Sequence, residues 1–324
     1  MATASLMAPT PVLPRAKKPS SAQHQYLQHA KKPNTPQSPA CLPLREHGLS
    51  YHRPQLLDQP ESIERLLQWF EKEEHSRNMP WRQEWINADE PAPKRPRTES
   101  TNNPLSIQEQ LKRRAYQVWI SEIMLQQTRV ETVRDYWQSW MDRWPTIEAL
   151  ASASSDDVLS AWRGLGYYSR ATRIHQAAQA VVQDPSLQGL LPEDVEELQK
   201  KVPGVGRYTA GAISSIVFGR AVPILDGNVA RVLSRQIALY ADPKAKPTTD
   251  LLWEVARLLV ERAAATAAGK GKDKVVPEKS AAPGKWNQGL MELGSTLCTP
   301  TKPDCSSCPI QSSCLAYAEV CIHC

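Results

Sequence analysis

Residues 115–128 read AYQVWISEIMLQQT, and we expect the fold to be built around this segment. Between Val118 and Leu125 only Ser121 and Glu122 are polar, and neither glycine nor proline interrupts the run. The pattern predicts a helix that ends in Gln127-Thr128, is apolar on nearly every side and is therefore buried. Because a buried carboxyl group either finds a partner or keeps its proton, two interpretations of Glu122 are open. It is a structural glutamate, exposed or ion-paired, or it is a general acid with a raised pKa.

Composition allows a large core but gives weak evidence about partners. The chain has 324 residues, enough for two domains, and 41% of them are hydrophobic. No apolar run approaches the roughly 20 residues that cross a membrane, so we expect no membrane partner. The net charge is +5, but residues 1–45 contribute +6 and leave −1 to the remainder. Any affinity for nucleic acid must therefore come from local groups.

Two segments bear on disorder and cellular location. Residues 1–50 are basic, rich in proline and without periodicity, which predicts a disordered tail. Residues 1–45 contain no acidic residue, which leaves mitochondrial targeting open, although their many prolines and few arginines disfavour an amphipathic targeting helix. Pro93-Lys94-Arg95-Pro96-Arg97 lies in a polar insertion, residues 87–105, and is typical of a nuclear-import signal. A solvated loop is the alternative, and we predict a nuclear location.

Helical periodicity runs through the rest of the chain, and nothing in the sequence requires a sheet. Further helices are predicted at residues 60–75, 130–144, 155–164, 169–183, 193–201, 208–218, 228–240, 250–265 and 286–297. Residues 266–285 consist mostly of alanine, glycine, lysine and proline, which predicts a second flexible insertion. The expected fold class is all-α.

The segment VPGVGRYTAG, residues 202–211, lies between two predicted helices. Gly204 and Gly206 flank Val205 and permit a tight turn whose backbone N–H groups can face a phosphate. This spacing predicts a helix-hairpin-helix, which holds the DNA backbone without reading its sequence. An ordinary helix connection with glycine at the turn is the alternative.

Asp226 occurs in ILDGNV, directly before a predicted helix. Helix capping is the simplest interpretation of this position. A carboxylate at the start of a helix can also remain ionised, because backbone donors and the helix dipole stabilise its charge. Together with a protonated Glu122, it would supply the two differently tuned carboxyl groups that cleavage of a glycosidic bond uses.

Four cysteines occur within a short segment near the C-terminus, with the spacing Cys298-x6-Cys305-x2-Cys308-x5-Cys314. No secretion signal is present, which favours a metal site over disulfides. Zinc is the usual metal for four cysteines, but these gaps do not match the paired two-residue spacing of zinc ribbons. Thiolates equally hold iron–sulfur clusters. Residues 321–324, CIHC, form a second metal half-site or contain two free thiols.

Five segments in order, SEIMLQQTRVETV, GLGYYSRA, VPGVGRYTAGA, ILDGNVARVLSR and the cysteine loop, resemble the MutY-type adenine DNA glycosylases. The resemblance covers residues 51–317 apart from the two insertions. It implies a two-lobed, all-helical, monomeric enzyme of the helix-hairpin-helix superfamily that acts on double-stranded DNA. Such an enzyme removes adenine mispaired with 8-oxoguanine or guanine. A six-helix barrel lobe would span residues 112–238, and a lobe with a [4Fe–4S] cluster would combine residues 51–86 and 239–320.

The resemblance also implies a role for individual residues. Glu122 matches the general acid that protonates the flipped adenine, and Asp226 matches the carboxylate that stabilises the oxocarbenium-like sugar. Tyr208 and Asn228 match family residues that support this catalytic site. Family residues that contact the opposing base match Gln127, Thr128, Leu165 and Tyr167. Those that line the adenine pocket match Trp81 and Arg82. The hairpin that holds the DNA backbone matches Gly204, Val205 and Gly206. The cluster ligands match Cys298, Cys305, Cys308 and Cys314.

Tyr208 separates this family from its relatives. Endonuclease-III-type enzymes have a lysine there, whose amine forms a Schiff base with the sugar, whereas a phenol cannot. The resemblance therefore implies a monofunctional glycosylase. Two alternatives stay open: a glycosylase for thymine mismatches or oxidised pyrimidines, and a non-catalytic DNA-binding fragment.

Family members also carry a Nudix-like domain that recognises 8-oxoguanine, and this sequence ends at Cys324 within what resembles the start of a connector, residues 321–324. We therefore expect the chain to discriminate weakly between 8-oxoguanine and guanine.

Overall fold

The computed structural model describes residues 50–88, 105–269 and 276–321. Within these ranges the chain forms twelve α-helices, two short 3-10 turns and no strand, which confirms the predicted all-α class. The helices are α1 (Pro60–Glu73), α2 (Ile107–Met124), α3 (Val130–Arg143), α4 (Ile147–Ala151), α5 (Ser155–Ala161), α6 (Ser169–Gln183), α7 (Val195–Lys201), α8 (Arg207–Ile216), α9 (Gly227–Gln236), α10 (Lys246–Ala267), α11 (Ala281–Thr296) and α12 (Leu315–Cys321). None of the helices described is long and apolar enough to cross a membrane.

Several predicted segments lie outside the described residues. These are the tail up to residue 49, the basic run at residues 93–97 with most of its insertion, and residues 322–324. The bounds of the two lobes stay a prediction. The second insertion, expected at residues 266–285, overlaps ordered structure at its C-terminal side, because α11 already begins at Ala281. Gly284 lets this part of α11 pack closely on α8, since a Cβ atom there would lie 2.8 Å from the carbonyl oxygen of Ser215.

Helix α2 contains most of the opening segment and is longer at its N-terminal side than expected. It begins with a capping box, in which the Ser106 hydroxyl accepts from the Glu109 N–H and the Glu109 carboxylate accepts from the Ser106 N–H. Residues 114–124 are all buried, which confirms the burial predicted for residues 118–124, whereas Leu125 is half-buried. The helix ends at Met124, and Gln127 has a left-handed backbone with φ of +56°. The prediction that the helix continues to residue 128 is therefore wrong.

The packing of three helices places the site. Helix α2 packs against α3 and α8, while α11 packs against α1, α8, α9 and α10. Since α8 contacts both α2 and α11, residues from these three helices can meet at one cavity. Tyr116 fixes α2 on α3, because its hydroxyl donates to the Trp144 carbonyl at 3.0 Å and accepts from Trp140 Nε1 at 2.9 Å.

Candidate active site

A cavity of about 510 Å³ is lined by eight of the seventeen site residues that were predicted from the sequence. The predicted site residues that line it are Trp81, Arg82, Glu122, Gln127, Thr128, Tyr208, Asp226 and Asn228. They come from the loop after α1, from α2 and the loop that follows it, and from the beginnings of α8 and α9. Four further residues that line the cavity were not predicted from the sequence: Arg77, Gln126, Met291 and Glu292.

Glu122 is buried at the wall of this cavity, with 6% of its surface exposed. Burial raises the pKa of its carboxyl group to about 7, and the nearby Asp226 carboxylate adds to the rise. The hydrogen bond from Tyr208 and the positive charge of Arg82 act in the opposite direction. Glu122 can therefore hold a proton near neutral pH, as a general acid must.

Tyr208, in the first turn of α8, is the direct partner of Glu122. Its hydroxyl donates to Glu122 Oε2 at 2.7 Å and lies 3.2 Å from the sulfur of Met291. Burial, and then the charges of Glu122 and Asp226, raise the pKa of Tyr208 well above its usual range. The phenol therefore stays neutral and serves as a hydrogen-bond donor.

Asp226 both caps α9 and lines the cavity, so its two proposed roles do not exclude each other. Its Oδ1 accepts from the Val229 N–H at 2.7 Å, and its Oδ2 accepts from the Asn228 amide at 3.1 Å. Arg231 in turn donates to the amide oxygen of Asn228 at 2.9 Å. Gly294 allows α11 to approach this point, since a Cβ there would lie 2.8 Å from Asn228 Cβ. The Asp226 carboxylate is thus held rigidly.

A buried ion pair forms another part of the wall. Glu292, which is 2% exposed, accepts from Arg82 Nη2 at 2.6 Å and from Arg77 Nη1 at 3.3 Å. Arg82 was predicted from the sequence, whereas its partner Glu292 was not. The signal was present, because Glu292 is a carboxylate within the apolar run Leu290–Leu293, the pattern that drew attention to Glu122.

The remaining predicted DNA contacts lie outside this cavity. Leu165 is buried, whereas Tyr167 is 63% exposed and has a left-handed backbone with φ of +47°. In the hairpin, Gly204 has φ of +80°, a conformation that favours glycine. Val205 is buried, and Gly206 is the N-cap of α8 with an ordinary extended backbone. The hairpin therefore leads directly into the helix that carries Tyr208.

The four cysteines, Cys298, Cys305, Cys308 and Cys314, line a separate cavity of about 360 Å³. Burial raises the pKa of the Cys308 thiol to about 12 and that of Cys314 to about 11. Arg235 Nη1 lies 3.2 Å from Cys298 Sγ, where it can donate to a thiolate. No three His, Cys, Asp or Glu side chains of the described residues are close enough to hold a single metal ion. Four cysteines around one cavity are a donor set that fits an iron–sulfur cluster.

Comparison with known proteins identifies the fold and the family. Residues 120–258 match the model of the HhH-GPD superfamily of base excision DNA repair proteins. The chain therefore contains a domain of this superfamily. It is 44% identical to the adenine DNA glycosylase of Homo sapiens over 79% of this chain and 39% of the human protein. It is 40% identical to that of Schizosaccharomyces pombe over 84% of this chain and 52% of the yeast protein.

The chain thus spans about two fifths to one half of the length of these relatives. Among solved structures, a thermostable thymine-DNA glycosylase shares the fold, with a TM-score of 0.57 and 20% identity. The alignment covers 81% of this chain and 98% of that protein.

Proposed function

We propose that the chain is a monofunctional adenine DNA glycosylase that binds double-stranded DNA and removes adenine mispaired with 8-oxoguanine or guanine. The observation that carries the proposal is the pairing of Glu122, whose pKa is about 7, with neutral Tyr208 in a cavity shared with Asp226. Similarity to curated adenine DNA glycosylases supports adenine as the base.

The reaction begins with rotation of the adenine out of the duplex and into the cavity. Glu122 donates its proton to a ring nitrogen, so the C1′–N9 bond breaks and its electron pair leaves with the base. The positive charge that develops on the sugar is stabilised by the Asp226 carboxylate. Water then adds to C1′ and returns a proton to Glu122, which leaves an abasic site and free adenine.

Tyr208 directs this scheme away from strand cleavage. A neutral phenol cannot form a Schiff base with the sugar, and its hydrogen bond holds the Glu122 carboxyl group in place. We expect sodium borohydride to trap little protein on DNA. Trapping as efficient as that of a lysine-dependent lyase would contradict this part of the proposal.

The four-cysteine cavity supports a [4Fe–4S] cluster as the resident cofactor. Cys298, Cys305, Cys308 and Cys314 would hold it, and its binding would cross-link residues 298–314 into one loop. Arg235 would contribute positive charge beside the first ligand. The purified protein should absorb visible light at about 400 nm, roughly where iron–sulfur proteins absorb. A colourless protein with stoichiometric zinc would contradict this assignment.

The other predicted contacts complete the proposed complex. Gln127, Thr128, Leu165 and Tyr167 would contact the base opposite the adenine, and the hairpin at Gly204 would bind a phosphate through backbone N–H groups. Trp81 and Arg82 would line the adenine pocket. We expect a monomer that acts in the nucleus.

The decisive test is adenine release from duplexes with A:8-oxoguanine or A:G mispairs by wild type and Glu122→Gln. Wild type should release adenine, and the variant should bind the same DNA but release at least about 100-fold less, as expected from loss of a general acid. Binding without release by both proteins would favour a DNA-binding fragment. Release of thymine or an oxidised pyrimidine would favour another base specificity.

A further inference from the structure

Arg170 is a buried cation that the proposed reaction leaves without a role. Only 8% of its surface is exposed, and backbone carbonyl oxygens rather than a carboxylate surround its guanidinium group. It is the second residue of α6, a position at which the helix dipole disfavours positive charge. The reason for an arginine at this position must therefore lie outside its own helix.

The two terminal nitrogens of Arg170 bind two different segments. Nη1 donates to three carbonyl oxygens at the C-terminal end of α2, those of Ile123 (2.8 Å), Met124 (3.4 Å) and Gln126 (2.8 Å). Nη2 donates to two carbonyl oxygens of the loop before α6, those of Leu165 (3.0 Å) and Gly166 (3.2 Å). The last carbonyl groups of a helix lack partners within it and attract a cation. One side chain thus joins the end of α2 to the loop.

Two aromatic rings pack against the guanidinium group. Its central carbon lies 5.2 Å from the ring centroid of Trp162 and 5.5 Å from that of Tyr167. Trp162 is fully buried, whereas Tyr167 is 63% exposed. Because a cation is attracted to the face of an aromatic ring, the outer ring of Tyr167 is linked to the buried side chain.

Each joined segment contains a residue with an unfavourable backbone. Gln127 has φ of +56° and Tyr167 has φ of +47°, which lie in the left-handed region that is unfavourable for residues other than glycine. Such residues persist only where their surroundings hold them. The carbonyl directly before each one, that of Gln126 or Gly166, accepts a hydrogen bond from Arg170.

We propose that Arg170 is a positioning residue that couples the exposed loop at Tyr167 to the cavity wall formed by residues 126–128. Those residues line the cavity together with Glu122, so a shift of the loop displaces the wall. This role rests on the proposed function, in which DNA contacts Tyr167. Contact at Tyr167 fixes the loop, and Arg170 transmits that constraint to the end of the helix that carries Glu122. Lysine cannot replace Arg170, since its single nitrogen cannot reach both segments at once.

The first experiment measures backbone amide hydrogen exchange of the 324-residue protein without DNA, for wild type, Arg170→Lys and Arg143→Lys. Arg143 is a matched control, because it also stacks on a tryptophan, Trp144, at 4.9 Å but lies at an exposed helix end. Arg170→Lys should accelerate exchange both at residues 125–128 and at residues 164–168, and the control should accelerate neither. Acceleration in only one segment, or in neither, would overturn the coupling.

The second experiment is a double-mutant cycle on single-turnover adenine release. Tyr167→Ala should slow wild type at least about tenfold, the scale expected when a reacting group is displaced. In the Arg170→Lys background, the same substitution should slow release less than about threefold, because the coupling is already broken. Equal fold-changes in both backgrounds would overturn the proposal.

A third arm keeps the proposal testable if Arg170→Lys fails to fold. Tyr167→Ala, with Arg170 intact, should accelerate exchange at residues 126–128, and unchanged exchange there would contradict the coupling. If wild type releases no adenine, the proposed function fails, whereas the exchange measurements still test the connection between the two segments.

Discussion

Replacing Glu122 by glutamine should stabilise the protein, and by an amount that depends on pH. The folded carboxyl group binds its proton more tightly than the unfolded one, with a pKa of about 7 against an ordinary value of 4.5. Its contribution to stability is therefore complete below pH 4.5 and is lost as the pH rises through 7. The full loss corresponds to about 3 kcal/mol. Glutamine cannot ionise, so Glu122→Gln avoids this loss.

Thermal unfolding at pH 5 and pH 8.5 measures the effect. The Tm of Glu122→Gln should lie close to that of wild type at pH 5 and exceed it by roughly 4–6 °C at pH 8.5, the shift that about 3 kcal/mol produces at an unfolding entropy of about 2.1 cal/mol/K per residue. Glu278→Gln, which alters an exposed carboxyl group, should show the same small difference at both pH values. A difference for Glu122→Gln that is equal at both pH values, or that is negative at pH 8.5, would refute the reasoning.

Three further substitutions test the site. Tyr208→Phe removes a hydrogen bond that lowers the pKa of Glu122, so adenine release should persist to higher pH than in wild type. A release rate that declines at lower pH than in wild type would argue against this. Gly294→Ala places a Cβ 2.8 Å from Asn228 Cβ and should destabilise by about 1–3 kcal/mol and slow release. Gly289→Ala on the same helix, where the nearest atom would lie at 3.4 Å, should be nearly neutral, and equal losses would contradict the packing account. Glu292→Gln leaves Arg82 buried without its ion pair and should lower the free energy of unfolding by about 3–5 kcal/mol, which denaturant titration measures; a loss below about 1 kcal/mol would contradict it.

The sequence predicted those parts of the fold that depend on local pattern. The buried helix around Glu122, the cap at Asp226 and the glycine turn at Gly204 all follow from the spacing of apolar residues and from residue types with special backbone preferences. The prediction of the end of α2 was wrong, because a glutamine at position 127 does not by its residue type indicate a left-handed backbone. That conformation accompanies hydrogen bonds from Arg170, which is 43 residues away in the chain.

The partners within the site were the hardest to predict. Arg82 and Glu292 are separated by 210 positions, and only the packing of α11 brings them together. Helix α4 and helix α12 were also missed, because α4 has only five residues and α12, unlike the seven-residue α5 and α7, is not preceded by a capping serine or aspartate. The start of α11 was misplaced, since a Pro-Gly pair normally interrupts a helix, whereas here both residues lie in its first turn and are buried.

The most direct test of the central claim is the pH dependence of single-turnover adenine release between pH 5 and pH 9. If protonated Glu122 is the general acid, the rate should fall about tenfold per pH unit above an apparent pKa of about 7. A rate that is independent of pH across this range, or that declines from about pH 4.5 as for an ordinary carboxyl group, would contradict the account.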